Sequence, residues 1–220
     1  VGFIGIDASR DDAVRRVEGA ASHEGVIGIA VSPADQDVRP TDDRFVEVVR
    51  AASEHGLIVM VHNPGLFHPA SDLSFADPRL IDEVLREYED DALIQSARFV
   101  LGDLGCVPVE QTLAVVAKHE RVFVETSAVA GRPGRMRTAI FASHEFGVAS
   151  RVLFASGFPR ETPELAIERL YSVNGASSTG DSGEARVPRE VLRQIIEGDA
   201  LGKLGVKHIW AGRSSGSEVT

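Results

Sequence analysis

The sequence has a single cysteine, Cys106, so no disulfide can form within the chain, which points to a reducing, cytoplasmic setting. No apolar run approaches the roughly 20 residues of a membrane span. Basic residues are outnumbered by acids, 23 to 33, for a formal charge of -10 and a pI near 5.2. A nucleic-acid binder would need a basic stripe to neutralise phosphates, and none is present. There is no basic stretch followed by an apolar leader at the N-terminus. Val1 opens directly onto a strand-like run, which leads us to expect that other sequence normally precedes it.

Nucleotide chemistry also lacks its signatures. Neither Gly-x-Gly-x-x-Gly nor a phosphate-binding loop occurs, so no nucleotide cofactor is expected. Ser156 stands before a glycine but without the Gly-x-Ser-x-Gly elbow of a serine hydrolase. What the 220 residues do contain is ordinary globular material, 43% hydrophobic and 25% charged. That length suits one α/β barrel.

Six short apolar runs read as strands: Gly2 to Asp7, Val26 to Val31, Leu57 to His62, Arg98 to Leu101, Val122 to Thr126 and Arg151 to Ala155. They are nearly continuous rather than alternating, as expected of parallel strands buried on both faces. Helical patterns lie between them. Asp11 to Ser22 follows Ser9 as a cap, and Asp42 to Glu54 follows Thr41 and stops near Gly56. Prolines 78, 108 and 163 open the stretches Arg79 to Tyr88, Val109 to His119 and Glu164 to Ser172. Pro188 to Leu204 reads as one last helix, after a flexible Gly/Ser-rich loop from Asn174 to Gly183. Strict alternation of this kind predicts parallel strands with helical crossovers. Six strands suit either an open doubly wound sheet or most of an eight-stranded barrel.

Both architectures place ligands at the carboxyl ends of the strands. Those ends read Asp7, Ser32, His62-Asn63, Asp103, Ser127 and Ser156-Gly157. This row of polar and small residues is the candidate site.

The order and spelling of four runs carry a resemblance. Leu57-Ile58-Val59-Met60-Val61-His62 is similar to the fifth strand of the amidohydrolase-related family, the group of small-acid decarboxylases and lactonases. Arg98-Phe99-Val100-Leu101-Gly102-Asp103-Leu104-Gly105 resembles its sixth strand, and Val122-Phe123-Val124-Glu125-Thr126-Ser127 its seventh. Arg151-Val152-Leu153-Phe154-Ala155-Ser156-Gly157-Phe158-Pro159 resembles the eighth. The resemblance implies a TIM-like (β/α) barrel with about six of eight βα units, the first two missing. Residues 1–206 would form this domain and 207–220 a tail. It also implies metal-dependent hydrolysis or decarboxylation of a small carboxylated or cyclic substrate, with zinc or manganese as the cofactor and His62 as a metal ligand.

Three departures fall on the chemistry. The family's first-strand His-x-His occurs nowhere in the chain, Asp103 stands at the sixth-strand histidine position, and Gly157 stands where the eighth strand carries its aspartate. A catalytic metal takes about three protein ligands and keeps one position open, so the site reads as degraded. The alternative is a non-catalytic relative that binds a small molecule or acts as an assembly partner.

The remaining candidates each carry two readings. Asp103 and Glu125 are the candidate catalytic acids; the first also reads as a loop cap between Gly102 and Gly105, the second as a carboxylate tied to neighbouring strand-end groups. Glu125 and Ser127 share one side of their strand. Asn63, Ser127, Arg132, Ser156 and Gly157 are candidate substrate contacts. Arg132 and Arg135 are placed in a Gly-rich loop, with solvated arginines as the alternative. His68 reads as a solvated loop histidine, or as one that approaches the site, and Cys106 as a small packing residue, or as a nucleophile at the rim. Two strand edges without partners predict a homo-oligomer, or else packing of Lys207 to Ala211 near the gap.

Overall fold

In a computed structural model, residues 1–62, 68–102, 104, 108–175 and 186–207 are described. Six strands form one sheet: β1 (Gly2–Gly5), β2 (Val26–Val31), β3 (Ile58–Val61), β4 (Phe99–Leu101), β5 (Val122–Glu125) and β6 (Val152–Leu153). Each expected strand is present, Val26 to Val31 in full and the other five trimmed by one to three residues. All five pairings are parallel, and the spatial order is the sequence order. A doubly wound sheet reverses its strand order at a switch point. This one never does, so successive crossovers keep winding the same way, as in a barrel. The described sheet is not closed: β1 and β6 each have one neighbour.

The crossovers are helical. In chain order they are α1 (Ala13–Ala21), α2 (Pro33–Gln36), α3 (Asp43–Glu54), α4 (Arg79–Glu87), α5 (Ala92–Ser96) and α6 (Val109–Lys118). After β5 come α7 (Ser127–Ala130) and α8 (Pro133–Glu145), and after β6 come α9 (Pro163–Tyr171), α10 (Arg189–Ile196) and α11 (Ala200–Lys203).

Strand alternation divides the core in two. Ile29, Val59, Val61, Phe99, Leu101, Val122, Val124 and Val152 pack with the buried faces of the long helices, among them Phe45 and Val49 of α3 and Ile140 of α8. The intervening residues Ile58, Val100, Phe123 and Leu153 point to the opposite, inner face and pack with Leu204, Ala200 and Val206. The C-terminal segment therefore covers the inner face at the amino ends of the strands. Arg98, just before β4, anchors it: one guanidinium nitrogen donates to the Leu204 carbonyl at 2.7 Å and the other to the Gly56 carbonyl at 3.0 Å.

Several local expectations need correction. Ser9 does not cap the first helix; its hydroxyl and N–H both bond Asp7 Oδ1, at 2.6 and 3.0 Å, and Asp12 stands at the cap. Asp42 rather than Thr41 caps α3, accepting the Arg44 N–H at 2.9 Å. The single last helix is two, because Gly198 interrupts it and Asp199 starts α11 by accepting the Gly202 N–H at 2.8 Å. The Gly-rich loop expected to hold Arg132 and Arg135 is instead a helix start. Arg132 is the N-cap of the 13-residue α8, and Pro133 fits its first turn, where a missing N–H costs nothing. Most of the expected 174–183 loop, and all of the expected tail beyond Lys207, lie outside the described residues.

Candidate functional site at the carboxyl rim

Continuing each strand register by one residue sets the rim. Val61 pairs with Leu101 and Leu101 with Val124, so His62 stands beside Gly102, and Gly102 beside Glu125. The Gly102 N–H donates to the Val61 carbonyl at 2.8 Å, in step with β3, and the Leu104 N–H reaches the Glu125 carbonyl at 3.0 Å. By alternation from Met60, Val100 and Phe123, all three face inward. His62 and Glu125 thus flank a glycine across two strand spacings, about 9–10 Å between Cα atoms.

His62 is half-buried. Its N–H donates to the Val31 carbonyl at 2.7 Å, which fixes the end of β3 against β2. A Cβ built on Gly102 would lie 3.5 Å from His62 Nδ1, so the imidazole lies over Gly102 on the inner side. Glu125 is buried, 6% exposed. Its two carboxylate oxygens accept the Ser127 N–H at 2.6 Å and the Ser127 hydroxyl at 2.8 Å. The tie between Glu125 and its strand-end neighbours is therefore present, and it holds the carboxylate at the mouth in a fixed orientation.

Between them, Thr126 is fully buried and joins β5 to β6. Its hydroxyl donates to the Ala155 carbonyl and accepts the Ala155 N–H, both at 2.9 Å. In the sequence Thr126 is one residue of a strand-end run, and nothing there marks its bridging role. Ser156 follows, its hydroxyl accepting the Phe158 N–H at 3.3 Å. Gly157 has φ +74, in the left-handed region. A Cβ there would come within 2.7 Å of the Ser127 carbonyl oxygen.

At the other side of the rim, Asp7 is consumed by its Ser9 turn. Gln36 clamps the chain after β1, donating to the Ile6 carbonyl at 2.8 Å and accepting the Ala8 N–H at 3.2 Å; nothing in the sequence pattern singles it out. Ser32 opens α2 without a side-chain cap bond. Arg132 is half-buried and Arg135 exposed. His68 is exposed, and its Nδ1 accepts the Ala70 N–H at 3.2 Å in a local turn. Asn63, Asp103 and Cys106 lie outside the described residues.

The sequence model of the family Amidohydrolase (Amidohydro_2) matches residues 1–201. The chain belongs to the amidohydrolase family. No curated protein matches it in sequence. Solved structures share its fold. One is an uncharacterized TIM-barrel protein from Bordetella bronchiseptica, with a TM-score of 0.65 at 17% identity, over 91% of this chain and 66% of that one. Another is 5-carboxyvanillate decarboxylase from Sphingomonas paucimobilis, with a TM-score of 0.61 at 16% identity, over 91% and 64%. A third is a dihydroxybenzoic acid decarboxylase from Polaromonas sp. JS666 with bound manganese and 2-nitroresorcinol, with a TM-score of 0.58 at 15% identity, over 88% and 65%. At such identities the likeness is one of fold. This amidohydrolase chain spans about two thirds of the length of these structures.

Manganese in the Polaromonas relative raises the question of whether this amidohydrolase rim fits a metal. Among the described residues, no three His, Cys, Asp or Glu side chains converge as ligands. His62 presents an imidazole, Glu125 is turned to Ser127 through both oxygens, and Gly157 offers no side chain. The described residues do not fit a catalytic metal site.

Proposed function

We propose that this amidohydrolase chain takes a small carboxylated or cyclic molecule at its carboxyl rim. Its chemistry descends from hydrolysis or decarboxylation, on a metal site that has become degraded. The inward row of His62, Gly102 and Glu125 carries the reading. It sets a hydrogen-bonding imidazole and a fixed carboxylate on either side of an open floor, at the strand ends where parallel barrels bind ligands. In this reading His62 is the position inherited from the metal ligands. Glu125 serves as acid or base, with Asp103 as the second catalytic candidate. Asn63, Ser127, Arg132, Ser156 and Gly157 line the ligand.

A test is to offer the protein hydroxylated benzoates and small lactones, following carbon dioxide release and ring opening. Turnover that falls by roughly 100-fold or more in Glu125→Gln and His62→Ala would support general acid–base roles. Neither turnover nor binding in the wild type would sink the proposal. A second reading, a relative that binds without turnover, is favoured by Gly157, because glycine can neither ligate a metal nor take a proton from water. Binding with no product would select it. We also propose a homo-oligomer, from the two strand edges that have no partner among the described residues.

A further inference from the structure

We infer that this rim meets its ligand through hydrogen bonds and without a metal, because residue 157 has become part of a backbone seam. The seam has two stitches. Thr126 bonds both polar groups of the Ala155 peptide backbone, its hydroxyl donating to the carbonyl and accepting the N–H. One residue beyond Thr126 and two beyond Ala155, Gly157 rests against Ser127: a Cβ would sit 2.7 Å from the Ser127 carbonyl oxygen and 3.4 Å from its carbon.

The obstacle is backbone on both sides, so no rotamer change relieves it. Ser127 cannot easily retreat, since its N–H and hydroxyl are both held by Glu125. The φ of +74 adds a second barrier, because an L side chain in that region crowds its own backbone. Glycine at 157 is therefore required by the seam, and is more than an aspartate that was lost. The same seam orients Glu125, each of whose oxygens accepts one bond from Ser127. Among the described residues, the His62 imidazole and a Glu125 already tied to Ser127 fall short of the three protein ligands that a catalytic metal takes. What stays available for a small acid or lactone is hydrogen bonding over the Gly102 floor. The ligand class rests on the proposed function above; the metal-free rim does not.

The experiment uses the full chain and asks two questions that need no substrate. Equilibrium dialysis against manganese and zinc chloride, with metal analysis, compares wild type, His62→Ala, Gly157→Asp and Ser156→Asp. Ser156 has an ordinary backbone, so its variant offers a carboxylate beside the seam without the strain. Substoichiometric metal in all four is expected. One ion per wild-type chain that disappears in His62→Ala, or one ion gained by either aspartate variant, would overturn the inference. Thermal melts then compare Gly157→Ala with Gly157→Asp. Both are expected to lose roughly 3–10 °C, since the strain belongs to any side chain. A Gly157→Ala variant that melts with the wild type would equally refute the seam, even if Gly157→Asp failed to fold. Should metal be absent while the acids and lactones also fail to bind, the ligand reading falls and the metal-free rim stands.

Discussion

At the scale of single residues, the rim is organised by groups whose chemistry is modest. Thr126 is the clearest case, because one hydroxyl satisfies a buried donor and a buried acceptor on the neighbouring strand end. Thr126→Val keeps the shape and removes both bonds, and should cost about 1–3 kcal/mol in denaturant unfolding; Thr126→Ser should recover most of that loss. The sequence made His62 and Glu125 visible because each ends an apolar run, where a polar side chain is conspicuous. It could not reveal the role of Gly157. A glycine carries no chemical signal, and its contact is with the carbonyl of a residue thirty positions away that only the fold brings close. Gly102 was legible as a turn but not as a floor, since that depends on the register of three strands.

At the scale of elements, the strands were legible because parallel strands covered on both sides must be apolar throughout. The 13-residue α8 was not. Its start holds Arg132, Gly134 and Arg135, which read as a loop, and three of the five residues it buries are small: Ala139, Ala142 and Ser143 beside Met136 and Ile140. Tertiary packing, rather than local propensity, makes it a helix. Polar ties between helices can be tested separately. Asp91 caps α5 by accepting the Leu93 and Ile94 N–H groups at 3.0 and 3.2 Å, and it pairs with Arg50 of α3 at 2.8 Å. The Arg50 bonds chiefly, with the backbone donors, hold its carboxyl below the usual range despite some desolvation. A lowered folded-state value means the stabilisation is complete above the ordinary aspartate range and is lost as pH falls through the lowered value. Asp91→Asn keeps a capping side chain but loses the ion pair. It should be about 0.5–1 kcal/mol less stable at neutral pH, and that gap should close in urea melts as the pH is taken below the carboxylate range.

At the scale of the whole molecule, the described sheet ends at β1 and β6 with ladder groups turned outward. Ile6 N–H donates toward β2, at 2.9 Å to the Ala30 carbonyl, so by alternation the Gly5 N–H faces the open edge. Light scattering should give a mass above the 23.6 kDa of one chain. Gly5→Pro removes that outward donor without touching the β1–β2 ladder, and should shift the population toward monomer. A wild type that is monomeric at every concentration would contradict the edge argument.

The Arg98 anchor has a kinetic consequence. The carbonyl it grips, on Leu204, lies 106 positions further along the chain. Ile58, Val100, Phe123 and Leu153 therefore gain the cover of Leu204, Ala200 and Val206 only when that distant segment has been made. Long loops must close before such contacts repay their entropy, and topologies of this kind fold slowly. The helix-covered layer can assemble while synthesis proceeds, but the inner layer must wait for the C-terminal segment. During that interval the nascent chain carries a bare apolar surface, the kind of species that chaperones hold.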